Sequence, residues 1–304
     1  MPTFTRWKIW LKMLFGKSDL HLEQPLGGFV SIHDISGYYN DLSKKVTFNK
    51  KTEKTIAYIP MFTNDYGKKV VFPIQIIQYA LGCYELFLKT NNDLYIKKMI
   101  HCSDYVLNLI NDDGSISCMY FVKGLNNPYS AMCQGECVSL LIRVFKETKE
   151  QKYLDGAKKV YSFLIDSNNV NAVIKSFNGL NNCLFEYPDK GIVLNGYIFA
   201  LFGLFDMYLL TRGEIERLIF ESSLKSLKNI MPLFVCDEWS YYDLDKHYAS
   251  KFYHKLHINL LLALNLICEN QFVDYVNIWG KGLKNKTLSI KMFWKKAMQK
   301  IKHQ

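Results

Sequence analysis

A chain of 304 residues with 49% hydrophobic content can bury one sizeable core, and its formal net charge of +10 favours anionic partners. No zinc-finger spacing, RNP-like stretch or Walker loop is present, so nucleic acid and nucleotides are set aside as partners. The eight cysteines are scattered without a C-x-x-C pair, and no clear export signal stands before them, which predicts reduced thiols in a cytoplasmic protein.

The chain opens on a basic, aromatic segment. Arg6, Lys8, Lys12 and Lys17 interleave with Phe4, Trp7, Ile9, Trp10, Leu11, Leu14 and Phe15. The lysines break the apolar run, so it is too short to span a bilayer. Two readings stay open: an amphipathic helix lying on an anionic membrane surface, at the inner face, and a helix docked on the domain. Further on, Phe29–Ile32, Lys45–Phe48 and Thr55–Ile59 read as short strands or extended segments. Residues 1–70 are expected to pack as one N-terminal unit on the helical domain.

Residues 71–284 carry an internal repeat. Four segments each read as helix, short polar turn, helix, starting near Pro73, Ser130, Ile192 and Ser250. In each, the first helix is strongly apolar and the second amphipathic, the pattern of an inner and an outer layer. The expected fold is mainly α, an incomplete (α/α) toroid of about four hairpins with a short N-terminal extended segment. The inner-helix N-termini and the loops before them then converge on one face. Those loops, 114–127, 171–191 and 235–249, are long and rich in aromatic and polar residues, as site-bearing loops are. Residues 285–304 form a basic tail in which Leu288, Ile290, Met292, Phe293 and Trp294 lie among lysines.

Several stretches share an order with one known family. They are Tyr38-Tyr39-Asn40-Asp41-Leu42, residues 73–82 from Pro73 to Gly82, Ser130-Ala131-Met132-Cys133-Gln134-Gly135, Phe185-Glu186-Tyr187-Pro188 and Val193-Leu194-Asn195-Gly196-Tyr197. They continue with Gly203-Leu204-Phe205-Asp206, Trp239 to Leu244 and Phe252 to Ile258. Over residues 38 to 280 the chain resembles the D-glucuronyl C5-epimerase family, whose members convert glucuronic to iduronic acid in heparan-type polymers. Departures are Cys133 in place of Ala, Glu136 in place of Gln, Tyr129 in place of Trp, and Phe72 before the proline.

The resemblance implies removal of the C5 proton α to the uronate carboxylate and its return on the other face. Nothing is oxidised, so no cofactor is expected. The chemistry asks for a base, an acid on the opposite face, and donors that stabilise an enediolate-like carboxylate. By resemblance, Glu186 and Tyr187 fall in the catalytic region, with Tyr253 as the opposing acid/base and Tyr242 as a third tyrosine. Tyr39, Gln134, Arg143, Asn195, His254 and His257 are candidates for binding the sugar hydroxyls or carboxylate. Bland alternatives stand beside them: an internal salt bridge for Arg143, a packing pair for His254 and His257, a rim aromatic for Tyr242. A metal at the histidine pair needs a third ligand, which the sequence does not supply, so none is expected.

The expected partner is a uronate-containing acidic polysaccharide, with a peripheral membrane contact and a homodimer left open. The competing functions are a polysaccharide lyase or hydrolase on the same toroid, a non-catalytic glycan-binding protein, and a membrane-surface adaptor.

Overall fold

The computed structural model describes residues 21–64, 66–122 and 124–302. The basic N-terminal segment lies outside them. Four helical hairpins are present: α1 (Pro73–Thr90) with α2 (Asp93–Leu107), α3 (Ala131–Thr148) with α4 (Gln151–Ile165), α5 (Leu194–Thr211) with α6 (Glu214–Ile230), and α7 (Lys251–Ile267) with α8 (Val273–Lys284). A further helix, α9 (Lys286–Lys302), comes last. The protein is a mainly helical, incomplete (α/α) toroid.

Helices α1, α3, α5 and α7 form the inner layer and touch in that order. Their burial explains their composition. Helix α5 is long and apolar enough to cross a membrane, yet it lies between α3 and α7 with most of its surface inside the protein. The outer helices bury one stripe each. Three inner-to-outer turns share one device. Asn91, Lys149 and Arg212 close α1, α3 and α5 at φ 51°, 60° and 55°, a left-handed C-cap that reverses the chain within two residues.

Helices α3 and α5 cross backbone to backbone. A Cβ on Gly135 would lie 2.6 Å from Cα of Ala200, and one on Gly203 would lie 2.3 Å from the carbonyl oxygen of Gly135. This close approach sets the second turn of α3 against the second and third turns of α5.

Between α1 and α7 the ring is closed by residues 22–42. The N–H of Gly28 donates to Oε1 of Glu85 on α1 at 2.9 Å, and Nδ2 of Asn259 on α7 donates to the carbonyl of Gln24 at 2.8 Å. Glu23 pairs with both Lys255 and Lys44.

The loops before the inner helices carry small hairpins: β1 (Phe62–Thr63) with β2 (Lys69–Val70), β3 (Ile174–Phe177) with β4 (Leu180–Leu184), and β5 (Val235–Cys236) with β6 (Trp239–Ser240). The strands expected earlier in the chain are not there. Ser43–Thr47 is a short helix, because Val46 alone turns inward, onto Gly82 of α1. Phe29–Ile32 is irregular: the Phe29 carbonyl takes the Ser36 hydroxyl and the Gly37 N–H, closing a loop. Residues 55–59 are irregular too. Nζ of Lys98, on α2, donates to the carbonyls of Thr52 and Thr55, replacing a strand partner.

Candidate active site

Two backbone contacts and one side-chain cap tie the loops at 171–191 and 235–249 to the inner-helix N-termini. The carbonyl of Phe185, just after β4, accepts the N–H of Ala131 at the start of α3 at 2.9 Å. The carbonyl of Tyr242 accepts the N–H of Leu194 at the start of α5 at 3.1 Å. The hydroxyl of Ser250 accepts the N–H of Tyr253 and caps α7. Glu186, Tyr242 and Tyr253 are thereby held at one end of the ring.

Glu186 is buried, and its Oε2 has no hydrogen-bond partner among the described residues. It lies over the first turn of α5, where a Cβ on Gly196 would sit 2.4 Å from that oxygen. Burial raises its pKa to about 7; the nearby Tyr187 hydroxyl holds it down in part, and Asp243 adds to the rise. A carboxyl with that value can take or give a proton near neutrality.

The three tyrosines surround it, all half-buried. The rings of Tyr242 and Tyr253 meet edge to face with centroids 4.8 Å apart. Burial, followed by the charge of Glu186, pushes Tyr187, Tyr242 and Tyr253 above the ordinary phenol range. All three are neutral phenols, able to donate.

At their first turns the inner helices present polar atoms that have no partner among the described residues. They include Oε1 of Gln75, Oε1 of Gln134 and Oδ1 of Asn195, all from first turns. Gln134 also donates through Nε2 to the Ile116 carbonyl at 3.2 Å. Such orphan acceptors in native proteins mark strain or a missing ligand. One further carboxyl belongs here. Glu136 of α3 is fully buried and takes Nε2 of Gln78 of α1 at 2.8 Å. Burial raises its pKa to about 8, against the pull of Gln78 and Lys45, with Glu186 adding to the rise.

Other expected site residues lie elsewhere. Arg143 makes the internal salt bridge: its NH1 is 2.6 Å from Oδ2 of Asp206, and its NH2 is 3.2 Å from Oδ1. Its remaining donors go to the carbonyls of Ser36, Gly37 and Ser139. Tyr39 joins this interior network through its hydroxyl, 2.8 Å from Oδ1 of Asp206, and stacks on Phe202 at 4.1 Å. Both are buried at mid-helix level, away from the first turns.

His254 and His257 form a packing pair. The hydroxyl of Ser240 is 2.9 Å from Nδ1 of each. Nδ1 of His254 also accepts the Ser240 N–H, so its proton sits on Nε2, which donates to the Trp279 carbonyl at 3.2 Å. The indole of Trp239 stacks on that imidazole at 3.7 Å. Burial lowers the pKa of His254 to about 3 and drives that of His257 well below its usual value. Neither is a cation for a substrate carboxylate. A different trio, Asp243, Asp245 and His247, brings ligand atoms within 4.8 Å of one another. There Nδ1 of His247 already bonds Asp243 at 2.7 Å, and Asp245 is exposed, so a cation has no enclosed cradle.

Residues 110–281 match the family described as D-glucuronyl C5-epimerase C-terminus. The chain belongs to the D-glucuronyl C5-epimerase family. It is similar to D-glucuronyl C5-epimerase of Caenorhabditis elegans, 31% identical over 155 residues that cover 44% of this chain and 25% of that one. The chain thus spans about a quarter of the nematode enzyme's length. It is also similar to an uncharacterized protein of Methanocaldococcus jannaschii, 20% identical over 250 residues, 74% of this chain and 81% of that one. Among solved structures it is similar to unsaturated glucuronyl hydrolase from Streptococcus agalactiae, at TM-score 0.46 and 12% identity, covering 91% of this chain and 79% of that one.

The family match spans Gln134, Glu136, Glu186, Tyr187, Asn195, Tyr242 and Tyr253. Of these, sequence reasoning noted Glu136 only as a departure from the epimerase pattern. Its signal was a charged residue in the first half of an otherwise apolar inner helix.

Proposed function

We propose that the chain is an epimerase that inverts C5 of D-glucuronic acid residues in an acidic polysaccharide, giving L-iduronic acid. The observation that carries this reading is the buried Glu186 carboxyl, poised near neutrality and ringed by three neutral tyrosines. Family membership supplies the reaction class.

In the proposed reaction, ionised Glu186 takes the C5 proton and the electron pair moves into the carboxylate, giving an enediolate. The Tyr253 hydroxyl then gives its proton to C5 from the opposite face, and the enediolate returns to carboxylate. Solvent returns a proton to the phenolate by relay through the adjacent Tyr242 hydroxyl, and Glu186 releases its proton to solvent. Atoms and electrons balance with no redox partner. The phenols are well suited to donate and the low-dielectric site strengthens each such contact. Gln134 and Asn195 supply amide oxygens for sugar hydroxyls.

The net charge of +10 supports an anionic polymer as substrate. Helix α9 supports a peripheral contact with anionic membrane, because Ile290, Trp294 and Met298 are exposed in one row among lysines.

The deciding experiment is incubation with a glucuronate-containing polymer such as heparosan in deuterated water. Label at C5 with iduronate formation is the expected result. Ultraviolet absorbance from a 4,5-double bond would show a lyase instead, since elimination shares only the first step.

A further inference from the structure

The proposed reaction places a carboxylate, and then a more highly charged enediolate, beside Glu186 and Asp243. A cation stabilises that charge more strongly than the neutral phenols do alone. The expected donors are committed elsewhere, Arg143 to Asp206 with both histidines neutral, and Lys255 on α7 pairs with Glu23. Lys45 acts on the Glu136 side of the site.

The C-terminal helix brings another. Met292, Lys296 and Gln299 share one face of α9 at i, i+4 and i+7. Met292 is buried. Gln299 locks the helix onto the loop before α7, accepting the N–H of Tyr248 at 2.9 Å and donating to the carbonyl of Lys246 at 2.9 Å. Lys296, half-buried between them, holds Nζ 5.9 Å from the centre of the Tyr242 ring. Among the described residues, no carboxylate lies within ion-pair distance of that ammonium. The two anchors therefore fix a cation over the tyrosine that packs on Tyr253, with Asp243 acting on it from beyond ion-pair distance.

We propose that Lys296 is the residue that binds the substrate's uronate carboxylate and stabilises the enediolate, delivered to the site by docking of α9. This rests on the epimerase reading for the enediolate, but carboxylate recognition does not. Burial, with Lys300 adding to it and Asp243 opposing it, lowers the lysine's pKa to about 8. It stays mostly charged at pH 7 and is only weakly hydrated, which favours direct contact with an anion.

The test compares full-length protein with Lys296→Gln and Lys296→Arg on two readouts. The first is binding of a heparosan oligosaccharide against its carboxyl-reduced counterpart. The second is deuterium exchange at C5. Lys296→Gln should lose the preference for the carboxylated oligosaccharide and slow exchange by about 100-fold, mainly in kcat. Lys296→Arg should keep most of both. Gln299→Ala, which frees the helix without touching the charge, should weaken both in the same direction. Unchanged discrimination in a folded Lys296→Gln protein overturns the assignment whether or not exchange occurs. Discrimination that depends on Lys296 in a protein that shows no exchange would keep the lysine's role and remove the reaction. Failure of wild-type protein to bind either oligosaccharide overturns both.

Discussion

Oε2 of Glu186 rests on Gly196: a methyl group there would lie 2.4 Å from the oxygen and 2.7 Å from Cβ of the glutamate. The carboxylate is positioned by the absence of a side chain on α5. Gly196→Ala should displace it while leaving the helix intact, since alanine is the better helix former. Exchange at C5 should fall by about 100-fold, the usual cost of a misplaced catalytic group, with a destabilisation of about 1–3 kcal/mol as Cβ of Glu186 shifts too. Kinetics and thermal melts on the same preparation check this.

Glu136 and Glu186 make stability depend on pH. Their pKa values are raised from 4.5 to about 8 and about 7. The folded protein therefore holds these protons more tightly than the unfolded chain does. The stability they contribute is fully present below about pH 4.5 and is lost as pH rises through 7 and 8. Glu136→Gln removes one ionisation, and its amide oxygen can still accept from Gln78. The variant should gain on the order of 1–3 kcal/mol over wild type at pH 9 and almost nothing at pH 5. Denaturant midpoints at the two pH values measure it.

The crossing of α3 and α5 tolerates no extra carbon. Gly135→Ala would set Cβ 2.6 Å from Cα and 2.9 Å from the carbonyl oxygen of Ala200, both atoms of helix backbone. Relief requires the helices to separate, which costs about 3 kcal/mol or more. The expected outcome is a protein destabilised by that amount in urea.

Ser240 holds two imidazoles with one hydroxyl. In Ser240→Ala, Nδ1 of His257 would be left buried with no partner, at a cost of about 2 kcal/mol. Both imidazoles are neutral and fully enclosed, so the affinity for a glucuronate oligosaccharide should be unchanged in the folded variant. Calorimetry for binding and melting for stability separate the two effects.

The hairpins were legible because an apolar first helix, a polar turn and an amphipathic second helix leave a periodic trace. That Glu186, Tyr187, Tyr242 and Tyr253 gather in one place was legible only through ordered motifs, since nothing in their local spacing marks them out. Long-range partners were not. Arg143 meets Asp206 across 63 positions, and His257 meets Ser240 across 17, and neither pairing leaves a local signal. The Lys45–Phe48 segment alternates like a strand, but Gly82 offers it a pocket for a single valine and a helix turn suits that better. Lys296 sits in a lysine-rich tail. Only the docking of Met292 and Gln299 separates it from its neighbours.

The most direct measurement is deuterium incorporation at C5 of glucuronate in heparosan, read by NMR and run with wild type, Glu186→Gln and Tyr253→Phe. Wild type should label C5 and form iduronate, and each variant should lose at least about 100-fold while staying folded. No label in folded wild-type protein with any uronate polymer, or full activity in both variants, would contradict the proposed chemistry.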